Sequence, residues 1–171
     1  ARVAALRKDV RLKFFGQGVF ETELRELADR LVPGRVDFGG VIPPAEAARW
    51  IRGSIAALVS LRGGIGYDYA HPTKAYAAAA CGTPVLFVGP TDFGDLISEA
   101  GLGEAVSAQT DTDAVAESMT RLLRAADSGE TEALRQHRAD WARQNVSLAA
   151  VGSRASAAVL GVLPGSQKDA G

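Results

Sequence analysis

The sequence predicts an α/β fold: a Rossmann-like parallel sheet with helices on both faces and its opening strand missing. Three observations predict it. Short apolar runs that read as strands alternate with longer stretches whose apolar residues recur at helical spacing. The strand runs, such as Pro84-Val85-Leu86-Phe87-Val88, are almost continuously hydrophobic, as in strands buried on both faces. Four of the runs end in glycine-rich segments, Gly16-Gln17-Gly18, Gly39-Gly40-Val41-Ile42, residues 62–69 and Gly89-Pro90-Thr91-Asp92, and in such sheets ligands sit beyond the carboxyl ends of the strands.

In order, residues 2–9 read as the tail of a helix with Val3, Leu6 and Val10 to one side. Residues 11–15 form a strand closed by Gly16-Gln17-Gly18. Phe20, Leu24, Leu27, Ala28 and Leu31 then mark the inward face of a helix. A strand at 35–38 ends in Gly39-Gly40, a helix at 43–53 opens on a proline pair, and a strand covers 55–61. A helix from Pro72 to Cys81 leads into the strand at 84–88. A helix at 92–99 stops at Gly101, and a short strand follows at 104–107. Asp111 and Asp113 open a helix that turns Val115, Met119, Leu122, Leu123 and Ala126 inward. The pattern stays helical from 130 to about 162, with a break at Val146-Ser147. One domain is expected over 1–163, and 164–171 reads as a disordered polar tail.

Residues 67–89 are the most informative stretch. Pro72 suits a first helical position, since its missing N–H would have no helical partner there. Ala75, Ala77, Ala78, Ala79 and Ala80 make a slender helix that can lie close to a sheet, and Gly82 suits the residue just past its end. The helix start offers backbone N–H groups near 73–75, the positive end of a dipole, and the Lys74 ammonium. That combination is an anion site, with phosphate as the expected guest.

Composition excludes more than it assigns. Apolar residues make up 47% of the 171 and charged residues 23%, near the soluble globular average. A net charge of −1 gives no field for nucleic acid or an anionic membrane surface. One cysteine forbids an internal disulfide, and with two histidines makes a structural zinc site poor. No apolar run reaches the roughly 20 residues of a membrane helix, and no signal-peptide pattern opens the chain. A cytoplasmic location is expected.

The succession of a strand with Gly-x-Gly, a helix, Arg35-Val36-Asp37-Phe38-Gly39-Gly40-Val41, a helix, a strand, the Pro72–Gly89 block and Gly94-Asp95-Leu96-Ile97 with Gly101-x-Gly103 resembles the C-terminal donor-binding half of a GT-B glycosyltransferase of the family 4 type. The likeness runs over roughly residues 1–160. Gly-x-Gly alone is unspecific; the full order carries the resemblance. It implies a retaining enzyme transferring a hexose-type sugar from a nucleotide sugar, with no further cofactor and no metal. The donor diphosphate would be held at Thr73, Lys74 and the amide of Ala75. The base would be cradled by Gly40, Val41 and Ile42, with Gly16 and Gly18 flanking the donor. Arg62 is a further phosphate candidate.

Two departures stand beside the likeness. The family often carries two glutamates eight positions apart, one at the sugar and one at the ribose, and those places hold Tyr69 and Ala77. A carboxylate accepting ribose hydroxyls contributes on the order of 1.5–3 kcal/mol per bond, so its replacement is costly. Asp68 is the substitute candidate for the ribose. Such domains also open with a strand and a glycine-rich turn, whereas this chain begins inside the helix that follows. The chain therefore reads as a fragment whose acceptor-binding N-terminal half lies elsewhere, or whose empty central slot is filled by another copy or an upstream segment.

Plainer readings accompany each residue. Lys74 could be a solvated lysine, and Gly16 and Gly18 could serve turn geometry alone. Glu21 replaces the third glycine of a dinucleotide fingerprint, which argues against NAD. His71 is a neighbour of the helix cap with a possible catalytic role, as is Asp68. His137 is expected to be structural, Cys81 a packed apolar residue, and Asp92 and Asp95 helix-start charges. Trp50 and Trp141 are expected in the core or a domain interface. The competing functions are a nucleotide-binding or interaction module without catalysis and a sugar-nucleotide epimerase of the same architecture.

Overall fold

The computed structural model describes residues 7–64, 66, 68–107 and 112–162. The expected helix at 2–9, the position of Asp111 and the tail at 164–171 lie wholly or mainly outside these. Strands β1 (Leu12–Phe14), β2 (Val36–Phe38), β3 (Ala57–Ser60), β4 (Val85–Gly89) and β5 (Gly103–Ser107) alternate with helices. These are α1 (Glu21–Leu31), α2 (Pro44–Arg52), α3 (Thr73–Ala80), α4 (Thr91–Glu99), α5 (Thr112–Asp127), α6 (Glu130–Ala133), α7 (Arg135–Asn145) and α8 (Leu148–Val162). All pairings are parallel, as predicted. The strands form two sheets, β1–β2 and β3–β4–β5, so among the described residues β1 and β3 each have one neighbour.

β4 is the centre of the molecule. Its register sets Val85 against Ala57 and Gly103, and Phe87 against Val59 and Ala105. Val85 and Phe87 face a core built with Ala75, Ala78 and Ala79 of α3, Phe93 and Ile97 of α4, and Ala142 of α7. Leu86, on the other side, packs with Val106 and Leu122 of α5. Helices thus cover both faces, which is why β4 reads as an unbroken apolar run. Leu58, paired with Leu86 in register, is 48% exposed.

The helix ends follow their sequences. After α3, Gly82 takes φ +73° and donates to the Ala79 carbonyl at 2.8 Å, while Thr83 donates to Ala78 at 2.9 Å. That paired pattern is the glycine-terminated stop expected there. Gly101 does the same for α4, its N–H on Ser98 and that of Leu102 on Ile97. Val146-Ser147 separates α7 from α8, as the pattern predicted, and a further break at Leu134 separates α6 from α7.

Three expectations are corrected. Pro72 is not helical: it is the extended residue before α3, with ψ 116°, and the helix begins at Thr73. The face of α1 carrying Leu24, Leu27 and Leu31 is exposed, and α1 has no buried residue. A two-stranded sheet is too narrow to cover an amphipathic helix. Of the two places expected for Trp50, the core is excluded: the ring is exposed and lies against Phe15 at 5.6 Å, with the Lys13 ammonium 4.3 Å from it. Trp141 does pack on the main core.

The two sheets are joined through α5 and α2. Val10, just before β1, is buried against Leu123, and Arg7 pairs with Asp127 at 3.0 Å. The Arg35 guanidinium donates to the carbonyls of Arg7 and Val10, closing the start of β1 onto the start of β2.

Candidate functional site

The carboxyl ends of β3, β4 and β5 open into a cleft of about 690 Å³. Its walls are residues 60–64 with Asp68 after β3, residues 88–91 after β4, and Ser107 at the end of β5. The segment after β3 is folded back on itself, because the Gly64 N–H donates to Asp68 Oδ1 at 2.8 Å. Gly64 has φ +75°, which a side chain would resist. Leu61 N–H donates to the Val88 carbonyl at 2.9 Å and fixes where that wall begins. Arg62 is exposed and has no carboxylate partner among the described residues, so its charge is available to an anion in the cleft.

Of the residues singled out from sequence, the cleft gathers Arg62 and Asp68. Thr73 and Lys74 are exposed at the start of α3, outside the cleft lining. The Ala75 amide was expected to be free for an anion, but it donates to the Pro72 carbonyl at 3.0 Å, and Ala75 itself is fully buried. Pro72 is extended, which turns its carbonyl toward the first helical turn. The Thr73 and Lys74 amides are the remaining first-turn donors without a backbone acceptor among the described residues.

Gly16, Gly18, Gly40, Val41 and Ile42 belong to the β1–β2 sheet. Gly16 (φ +125°) donates its N–H to the Gly40 carbonyl at 2.7 Å, so the two glycine turns are bonded to one another. Gly18 offers its carbonyl to Glu21 N–H at the start of α1. Gly39 makes room for the Phe15 ring, which a Cβ there would approach to 2.5 Å and have to displace. Val41 is 69% exposed and Ile42 half-buried. These five residues do not line the 690 Å³ cleft.

Tyr69 is 88% exposed. Ala77 lines a separate cleft of about 450 Å³ between α3 and α7, with Tyr76, Ala80, Ala142 and Arg143. His71 lines neither. Its Nδ1 lies 2.5 Å from Tyr76 Oη, and its ring meets Phe93 edge-on at 5.0 Å. Burial pushes the Tyr76 phenol above its ordinary range. Burial likewise pushes the Cys81 thiol up, which keeps it protonated and agrees with a packed rather than nucleophilic residue. His137 is structural, its Nε2 2.9 Å from the Ala100 carbonyl at the end of α4. No group of acidic, histidine or cysteine side chains able to hold a metal occurs among the described residues.

The family described as glycosyl transferases group 1 matches residues 1–125, a span that includes β1 to β5 and most of α5. The chain belongs to the glycosyl transferases group 1 family. No curated protein matches it. The glycosyltransferase domain is of GT-B type, and its parallel strands with helices on both faces are the Rossmann-like arrangement expected of it. The match stops at 125, short of the likeness expected to about 160, so α6, α7 and α8 lie beyond it. No described helix of this glycosyltransferase is long and apolar enough to cross a membrane. Sequence reasoning found both long walls of its cleft from their glycines but missed Ser107, whose strand ends without a glycine signal. It also missed Tyr76 and Phe93 as partners of His71: His71 precedes the helix and Phe93 lies on the next one, so no helical spacing marks either pair.

Proposed function

We propose that this domain is the nucleotide-sugar-binding half of a retaining glycosyltransferase that moves a hexose-type sugar to an acceptor. The cleft at the carboxyl ends of β3, β4 and β5 carries the reading. It lies where parallel α/β sheets bind ligands. Arg62 sits in it, and Gly63, Gly64 and Gly89 allow a phosphate to approach the backbone. Charge builds on the departing diphosphate during transfer. Arg62, Lys74 and the amides of Thr73 and Lys74 would stabilise it electrostatically. Gly16 and Gly18 would flank the donor, Gly40, Val41 and Ile42 would take the base, and Asp68 Oδ2 would accept from the ribose. Ala75 contributes packing.

The acceptor would be held by an N-terminal half of the same protein. The α2 connection lays Trp50 over Phe15 at the end of β1 before reaching β3. Among the described residues β1 and β3 each have one open edge, and these edges would receive one parallel strand between them.

Calorimetric titration of the chain with UDP, GDP and ADP tests the reading. Saturable binding of at least one is expected. Arg62→Ala and Lys74→Ala should each weaken it by about tenfold or more, the loss of one charged hydrogen bond, without unfolding the domain. Unchanged affinity in both variants would remove these residues from the site.

A binding module without catalysis is the second reading, favoured by Tyr69 and Ala77 standing where the family often has carboxylates. Absence of any thermal stabilisation by millimolar UDP, GDP, ADP or their sugars would exclude the donor role and leave an interaction module. Recovery of an epimerised nucleotide sugar would instead assign the epimerase.

A further inference from the structure

We propose that His71 is a positioning residue: clasped to Tyr76 and Phe93, it sets the wall of the cleft that carries Arg62 and Asp68. The proposal rests on the donor-binding reading for its consequence, though not for its geometry. The wall has three ties. Leu61 N–H on the Val88 carbonyl (2.9 Å) holds its beginning, and Gly64 N–H on Asp68 Oδ1 (2.8 Å) folds its middle. Its far end is held by the His71 ring, through Tyr76 Oη at 2.5 Å and the edge of Phe93 at 5.0 Å.

The anchor of that third tie is rigid. Phe93 is 1% exposed and packs edge-on against Phe87 of β4 at 4.9 Å and Tyr76 at 5.8 Å. Tyr76 in turn contacts Trp141 of α7 at 6.2 Å. Phe93 also sits on the first turn of α4, two residues after Thr91 in the opposite wall of the cleft. His71 thus couples one wall to the other through a single ring. Burial does not explain a histidine here, since the residue is exposed and a plain aromatic ring would pack on Phe93 equally well. What phenylalanine would lack is the nitrogen facing the Tyr76 hydroxyl, whose partial burial makes that bond count for more than one at the surface.

The test uses His71→Phe, which keeps the ring and loses the nitrogen, His71→Asn, which places an acceptor near the Nδ1 position, and Tyr76→Phe. The first readout is exchange of the Gly64 amide by NMR, which needs no ligand. Exchange should quicken in His71→Phe and Tyr76→Phe, and return toward the original rate in His71→Asn. The second is affinity for whichever of UDP, GDP and ADP the unaltered chain binds. It should fall roughly five- to tenfold in each phenylalanine variant, no further in the double variant, and recover in His71→Asn. Melting temperatures should stay within a few degrees throughout.

Unchanged Gly64 exchange overturns the proposal whether or not a nucleotide binds. Binding by the unaltered chain that survives intact in His71→Phe overturns it too. If no nucleotide binds while exchange responds as expected, the donor reading falls and the clasp stands as the setter of the wall.

Discussion

Gly82 ends α3 with a left-handed backbone, and its α-carbon faces α7: a Cβ built there would stand 2.8 Å from the Arg135 carbonyl oxygen. Arg135 uses the room, donating from Nη1 to the carbonyls of Arg52 and Cys81 and so tying α7 to the ends of α2 and α3. Gly82→Ala should therefore cost about 1–2 kcal/mol for the backbone conformation alone, and more for the displaced helix. Chemical denaturation reads the result, and an unchanged midpoint would mean that the turn tolerates a side chain. The glycine was legible in the sequence, because a helical run followed by glycine has few other meanings. The fate of the Ala75 amide was not, since it depends on where the Pro72 carbonyl points, and that depends on a backbone angle that residue types leave open.

Among elements, the joint between β1, β2 and α5 combines the Val10–Leu123 contact with exposed ion pairs. The Arg7 guanidinium hydrogen-bonds Asp9 and holds its carboxyl at about 2, down from 3.8. Arg11, with Lys13 beyond it, holds that of Asp37 below the usual range. Both folded values are depressed, so both pairs contribute fully above the unfolded value near 3.9. The Asp9 contribution fades as pH falls from about 4 toward 2, and that of Asp37 fades as pH falls below the ordinary carboxylate range. Asp37 links two strands through Arg11 at 3.1 Å and Lys13 at 3.4 Å. Asp37→Asn should lower the melting temperature slightly at neutral pH, because exposed pairs are worth little. The difference from the unaltered protein should shrink as acidification protonates Asp37 below the ordinary carboxylate range; a gap that stays constant on acidification would assign it to packing. Helix and strand order was readable at this scale from apolar spacing. The exposure of α1 was not, because periodicity shows that a face is apolar without showing what lies opposite.

At the scale of the molecule, one core holds the β3–β4–β5 layer and a thinner set of contacts holds β1–β2. Phe93 joins β4, α3 and the wall before α3, so Phe93→Ala should cost roughly 3–5 kcal/mol and lower the thermal midpoint by several degrees. A loss under about 1 kcal/mol would show that neighbouring rings collapse into the space. Among the described residues one edge of β3 is open and Leu58 of that strand is exposed, a surface on which chains can pair. Leu58→Lys should reduce concentration-dependent association in sedimentation velocity without lowering the melting temperature by more than a few degrees. Equal association in both proteins would place the contact elsewhere.

The sequence by itself determined the parallel α/β order, the glycine stops of the helices and the walls of the cleft, because each rests on residue types acting within a few positions of themselves. Only the tertiary structure decided that the strands divide into two sheets, that Ala77 turns toward α7, and that His71 reaches Tyr76 and Phe93. Those outcomes depend on which distant surfaces meet, and local spacing carries no record of a partner far along the chain.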